Sequence, residues 1–250
     1  MKKILFLLII NLFALQACTV DSVVTYHPDA ASTTLANVDL KEAMATIKST
    51  IPDSLKNKQP DLGDFEKVPQ KWISFYKMEK KRGNLKTKNP DSIRVMKKVF
   101  VKSTFQDKQI TNFSMKLDHF TKADYKVLTS FSKEEKLPVD QMAMNSWDGK
   151  TLTIDTENLN VDGVKNLLGK GYSSPDAKIS LGTVKLLFKK IGTTLRFEKK
   201  IKSITGKHDW VSQIDDYSVK IDYDLDDLLN ESRIKKPIVN ADKQIVIVTE

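Results

Sequence analysis

This chain of 250 residues has one cysteine, three histidines and nine glycines, and each scarcity removes a class of chemistry. A single cysteine cannot form an internal disulfide or a thiolate zinc cluster. His27, His119 and His208 have no second histidine or carboxylate three or four residues away, which is the spacing of a helical metal site. They read as exposed loop histidines, His27 and His208 in turns and His119 after a strand. The glycines build no phosphate-cradling loop, because Gly163, Gly169 and Gly171 match neither a Walker nor a Rossmann spacing. A Gly-x-Ser-x-Gly nucleophile elbow is also missing. The acidic group Asp222, Asp224, Asp226 and Asp227 lacks the glycine and glutamate of a calcium loop: Asp227 and Arg233 stand in their places. A helix with an acidic first turn explains these residues more simply. Carboxylates abound, but no pair is singled out for glycoside hydrolysis. Finally, no apolar run reaches the roughly 20 residues needed to span a bilayer as a helix.

The longest apolar run is Ile4 to Leu15, interrupted by Asn11 and preceded by Lys2 and Lys3. A short positive segment followed by an apolar segment of this length is the pattern of an export signal. A small residue, Ala17, then precedes the lone Cys18. A cleavage site needs small residues because the peptidase cleft closes on extended backbone. The tetrapeptide Leu15-Gln16-Ala17-Cys18 resembles the lipobox of bacterial lipoproteins. That resemblance implies cleavage between Ala17 and Cys18, an S-diacylglycerol group on Cys18 and acylation of its freed amine. The other reading is an ordinary signal peptide that leaves a free thiol. Each buried methylene contributes about 0.8 kcal/mol, so two or three acyl chains make a stable membrane anchor. With Cys18 acylated, no thiol remains for catalysis.

The formal charge is +9. Lysines are dense over Lys77–Arg82 and recur at Lys97-Lys98, Lys199-Lys200 and Lys235-Lys236. One reading is attraction to anionic lipid or glycan. The simpler one is a set of solvated lysines that also discourage pairing at sheet edges. An export signal and the absence of a recognisable binding motif argue against nucleic acid.

Along the chain, residues 1–17 read as signal peptide, 18–22 as lipidated terminus and short tether, and 23–250 as one ectodomain, with two lobes conceivable near 135. Val23–Tyr26 and Thr33–Leu40 read as strands around a turn at His27-Pro28-Asp29-Ala30. Apolar spacings of three and four over Phe65–Lys81 predict an amphipathic helix, with a strand through Trp72–Tyr76 as the alternative. Val99–Phe105 and Ile110–Leu117 predict a hairpin turning at Gln106–Gln109. Met142–Trp147 and Lys150–Ile154 predict a second hairpin on the two-residue turn Asp148-Gly149. The last third, from Thr194 to Val248, is the most strand-like. An Asp near the end of an alternating segment, followed by a short helical one, occurs at Asp39, Asp118, Asp155 and Asp224. It suggests carboxylates placed at helix starts. The three tryptophans, Trp72, Trp147 and Trp210, read as partly buried anchors.

The run Phe197–Gly206, the run Tyr217–Leu229 and the Tyr26-His27-Pro28-Asp29-Ala30 strand–turn together resemble bacterial envelope lipoproteins with no assigned chemistry. The resemblance implies an α+β, sheet-rich ectodomain and supplies no catalytic residues. The expected fold is therefore α+β: an antiparallel sheet built from hairpins, with short helices packed on it. The expected role is non-enzymatic, a membrane-anchored envelope lipoprotein that binds a partner protein, lipid or glycan or acts in assembly. A lipid- or amphiphile-binding cavity is the alternative, and an envelope glycan hydrolase the lesser one. No cofactor and no metal are expected. Thr19, rather than Asp, follows Cys18 and points to the outer membrane.

Overall fold

A computed structural model of the chain describes residues 20–41, 68–107, 109–130, 145–157, 159, 190–224 and 238–250. Ala17, Cys18, the helical segments expected after Lys41 and over 161–168 and 226–230, the loop 51–63 and the lobe boundary near 135 lie outside them.

The α+β expectation holds. The first strand, β1 (Val20–Tyr26), turns back into β2 (Ser32–Asp39). Val20, Asp21 and Ser22, expected as tether, are therefore part of the sheet. The pair β3 (Ile73–Ser74) and α1 (Phe75–Lys81) follows, then α2 (Pro90–Lys98), which runs directly into β4 (Val99–Gln106). The chain continues through β5 (Gln109–Phe120) and α3 (Lys122–Ser130) to the hairpin β6 (Asn145–Trp147) and β7 (Thr151–Asp155). The remaining strands are β8 (Lys190–Phe197), β9 (Ile201–Thr205), β10 (Val211–Asp215), β11 (Ser218–Asp224) and β12 (Gln244–Thr249).

An eight-stranded sheet has the order β10-β11-β8-β1-β2-β5-β4-β3, and a four-stranded one the order β6-β7-β12-β9. Pairing is antiparallel except between β1 and β8, which places the first strand of the structure in the sheet interior. Along β4, Val99, Val101 and Ser103 face inward while Phe100, Lys102 and Thr104 alternate outward. The inward face of the large sheet supplies two cores. One packs Val99, Val101, Phe113, Met115 and Leu117 against Phe75, Met78, Val95 and Leu128 of the helices. The other packs Val24, Tyr26, Leu195 and Phe197 against Leu152, Ile154, Ile245 and Ile247 of the small sheet.

Phe65–Lys81 is not a single helix. Ile73 pairs with Val101 at the sheet edge, and only then does Ser74 cap α1, its Oγ accepting from the Lys77 N–H at 3.3 Å. Both readings of that stretch were partly right, because the strand and the helix abut. The second hairpin also differs from expectation. Asp148 N–H donates to Thr151 O at 3.2 Å, so the two turn residues are Gly149 and Lys150, one position later than Asp148-Gly149. Gly149, at φ +100, takes the first turn position, where a type II′ turn uses glycine. Asp148 instead uses its carboxylate, accepting from Lys150 N–H at 2.8 Å and Thr151 N–H at 2.6 Å. Those backbone bonds hold its carboxyl below the usual carboxylate range.

Candidate functional site

The β1–β2 turn brings together residues that are far apart in sequence. His27 follows β1, and its Nδ1 lies 2.7 Å from Glu198 Oε1 just beyond β8. Its Nε2 lies 2.9 Å from Thr33 Oγ1. A carboxylate only accepts, so Nδ1 carries the hydrogen, and in the neutral ring the Thr33 hydroxyl donates to Nε2. Thr33 Oγ1 in turn accepts the backbone N–H of His119 at 3.1 Å. His119 sits near the end of β5 with φ +50, a left-handed conformation that histidine adopts more readily than most side chains. Its Nε2 donates to Asp29 Oδ2 at 2.7 Å. The two imidazoles are neighbours, with ring centroids 4.9 Å apart. Asp29 also accepts from Ala31 N–H, and these contacts hold its carboxyl below its ordinary value, the Ala31 bond foremost.

Of the histidines read as exposed, His119 is exposed but lies within β5 rather than after a strand, and His27 is half-buried. His27 and His119 pack together because β1–β2 and β2–β5 pairing brings the end of β5 beside the turn. Spacing rules for helices could not have shown this. The one local signal was a turn that starts with His-Pro-Asp. His208 is buried at 4% exposure. Its Nδ1 accepts from Trp210 N–H at 3.1 Å while Nε2–H donates to Leu159 O at 2.8 Å. That fixes the neutral tautomer, and burial pushes the imidazole below its ordinary value. Among the described residues, no group of three or more His, Cys, Asp or Glu is placed to hold a metal ion.

The β6–β7 hairpin closes over the same turn. Trp147 Nε1–H donates to His27 O at 2.7 Å, and its ring packs tilted against Tyr26 and Phe197. On the other side, Lys98 Nζ donates to His119 O at 2.8 Å and to Asp124 Oδ2 at 2.7 Å. The cluster thus joins the helical core to the sandwich core through one turn. Chemically it has the order hydroxyl, imidazole, carboxylate used to activate a nucleophile. The Thr33 oxygen also accepts the His119 N–H, which ties this hydroxyl to the backbone of β5.

Two further features are candidates. A concavity of about 320 Å³ lies at the rim of the sandwich core. Ile204, Val211 and Ile245 line its floor, and Lys207, Asp209 and Asn240 its edge. The Asp209 carboxylate there is taken up by Val239 N–H, Asn240 N–H and Asn240 Nδ2. The other feature is the outward face of β4 and β5. Lys102 Nζ stands 4.9 Å from the Trp72 ring centroid, and Lys116 Nζ 4.9 Å from that of Phe100. Trp147 and Trp210 are half-buried as expected, but Trp72 is 40% exposed.

Cys18 and Ala17, the residues expected to carry lipidation and cleavage, lie outside the described residues. No helix among the described residues is long and apolar enough to cross a membrane. Compared with known proteins, the chain matches no family model and no curated protein. Among solved structures it is similar to the folded domain of the Mycobacterium tuberculosis protein LppM, determined by NMR. The two share 12% identity with a TM-score of 0.37, over 94% of this chain and 92% of that one. A likeness of that size carries no functional argument, so function is argued from the residues.

Proposed function

We propose that the chain is a lipoprotein of the bacterial cell envelope, anchored through Cys18, whose ectodomain works by binding rather than by catalysis. The observation that carries this reading is the join between anchor and fold. The apolar run and Ala17-Cys18 are followed, after Thr19 alone, by β1, an interior strand of the large sheet. Acyl chains on Cys18 would hold the Val20 end of the sheet against the headgroups. β1 spans seven residues at about 3.3 Å each, so the His27 turn would stand about 20 Å further out. The Thr33–His27–Glu198 chain ties the β1–β2 turn to β5 and to the residue after β8, which supports a structural role for that cluster. Thr19 after Cys18 favours the outer membrane in this reading.

The test is intact-mass analysis of detergent-extracted protein beside a Cys18→Ser variant. Two or three acyl chains on a chain beginning at Cys18, absent from the variant, are the expected result. An unmodified thiol on a soluble chain would overturn the anchor and with it the envelope role. The 320 Å³ concavity supports a second reading, a site for a small amphiphile. Its volume is at the low end of ligand pockets, which run from about 300 to 1,000 Å³.

A further inference from the structure

We propose that the outward face of β4 and β5 is a binding strip for an anionic glycan of the uronate type. The inference rests on the envelope reading, which puts the chain in a compartment that holds glycans. Register places the strip. Phe100 pairs with Lys116, and Lys102 with Ser114, which also pairs with Asn37 of β2. All five therefore share one face. Trp72 immediately precedes β3, whose Ile73 and Ser74 pair with Val101 and Phe100, so it sits alongside Lys102. Each aromatic ring on the strip carries a lysine ammonium 4.9 Å from its centre. Trp72 nonetheless remains exposed, so part of its ring surface is open to a stacking partner.

The polar groups between the rings are arranged as donors. Ser114, buried on this face, donates its hydroxyl to Asn37 Oδ1 at 2.7 Å, and Asn112 Oδ1 is 3.1 Å away. With both amide oxygens turned to Ser114, the Nδ2 groups of Asn37 and Asn112 point elsewhere as donors. The strip therefore offers two ammonium groups, two amide N–H₂ groups and two aromatic faces. Lys116 also meets Asp118 at 3.2 Å, the one carboxylate paired with these lysines among the described residues. The complementary ligand is rich in acceptors, negatively charged and flat on its C–H faces. A sugar acid has all three: ring C–H groups stack on Trp72 and Phe100, carboxylates meet Lys102 and Lys116, and hydroxyl oxygens accept from the asparagines. An apolar partner would leave the donors unsatisfied.

The experiment is calorimetric titration of the full lipidated chain in detergent micelles with oligogalacturonate. Its methyl ester, inorganic polyphosphate and phosphatidylglycerol vesicles serve as comparisons. The expected result is saturable binding of oligogalacturonate and none of the neutral ester. Trp72→Ala and Lys102→Gln should each weaken binding at least tenfold, with far-UV circular dichroism unchanged. Asn112→Ala, a milder change, should weaken it by a smaller factor. Polyphosphate binding that is as tight and indifferent to Trp72→Ala would show charge attraction alone and overturn the proposal. Vesicle binding with the same dependence on Trp72 and Lys102 would reassign the strip to the membrane and overturn it too. Failure to bind by a chain shown to be acylated removes the glycan site and leaves the envelope reading. Binding by a chain shown not to be acylated removes the anchor instead.

Discussion

Asp124 is 1% exposed and is the most heavily bonded carboxylate among the described residues. Its Oδ1 accepts from Arg94 Nε at 2.9 Å, and its Oδ2 from Lys98 Nζ at 2.7 Å and Thr121 N–H at 3.1 Å. Thr121 Oγ1 accepts from Asp124 N–H in return, a capping box at the start of α3 with Asp in the usual Glu position. Burial alone would raise this carboxyl. The bonds from Lys98, the Thr121 backbone and Arg94 overcome that and hold it far below the usual carboxylate range. A depressed carboxyl contributes stability that is full above its unfolded value near 3.8 and is lost as pH falls toward its folded value. Asp124→Asn keeps the volume but leaves two cations facing an amide. The expected loss in a urea melt at pH 7 is about 2–3 kcal/mol, below the full cost of breaking a buried pair because Arg94 and Lys98 keep contact with water. Between pH 4 and pH 2 the gap between wild type and variant should narrow. A gap that stays constant would mean that the carboxylate charge contributes nothing.

At the scale of elements, the β6–β7 hairpin is held closely against the β1–β2 turn. At Gly149 a Cβ would stand 2.3 Å from the carbonyl oxygen of Pro28, and the backbone is at φ +100. Gly149→Ala therefore meets both a left-handed backbone penalty of about 1–2 kcal/mol and a contact with main chain that cannot swing aside. The hairpin should lift from the His27 turn, lose the Trp147–His27 bond and destabilise the fold by more than about 2 kcal/mol. Its signature would be a red shift in Trp147 emission; unchanged emission and stability would show the turn free to re-form. This hairpin also marks how far the sequence could be read. Alternation and an Asp-Gly pair located both strands, but the turn moved by one residue because β7 is registered by β12 as well as by β6. The β4–β5 hairpin was legible because apolar alternation is long on both strands. The Ile73–Phe75 switch was not, since Ser74 both closes a strand pair and caps a helix. Asp39 and Asp155 do accept backbone N–H bonds two residues on, from Lys41 and Glu157, both at 2.9 Å. For α3, though, the cap is Thr121 with Asp124 rather than Asp118. The histidine pair was invisible for a different reason: it depends on β1 pairing with β2 and β2 with β5, a long-range placement that no local pattern encodes.

On the scale of the whole molecule, one sheet serves two cores, and polar side chains stand between them. On its inward face, Ser22 Oγ meets Thr193 Oγ1 at 2.8 Å. Thr34 is buried beside them, and Ser32 Oγ meets the Tyr125 hydroxyl at 3.0 Å. Hydroxyls along this seam interrupt apolar contact between the helical core and the sandwich core. The question is whether the two unfold separately. Against separation, the β1–β2 ladder is unbroken from Val20–Val38 to Tyr26–Ser32. The turn above it is clasped to β8 by Glu198 and to β5 by His119. Opening either core would strip backbone bonds from a strand that the other core buries, and an unpaired buried backbone group costs about as much as a lost hydrogen bond. One cooperative transition is therefore expected. Leu152, fully buried in the sandwich core, allows a direct test. Leu152→Ala should cost about 2–5 kcal/mol and, under native conditions, should lower hydrogen-exchange protection of the slowest amides in β4 and β5 by the same factor as those in β7 and β12. If β4 and β5 keep wild-type protection while β7 and β12 lose theirs, the hydroxyl seam divides two folding units. The His27 cluster would then be a hinge between them instead of a clasp.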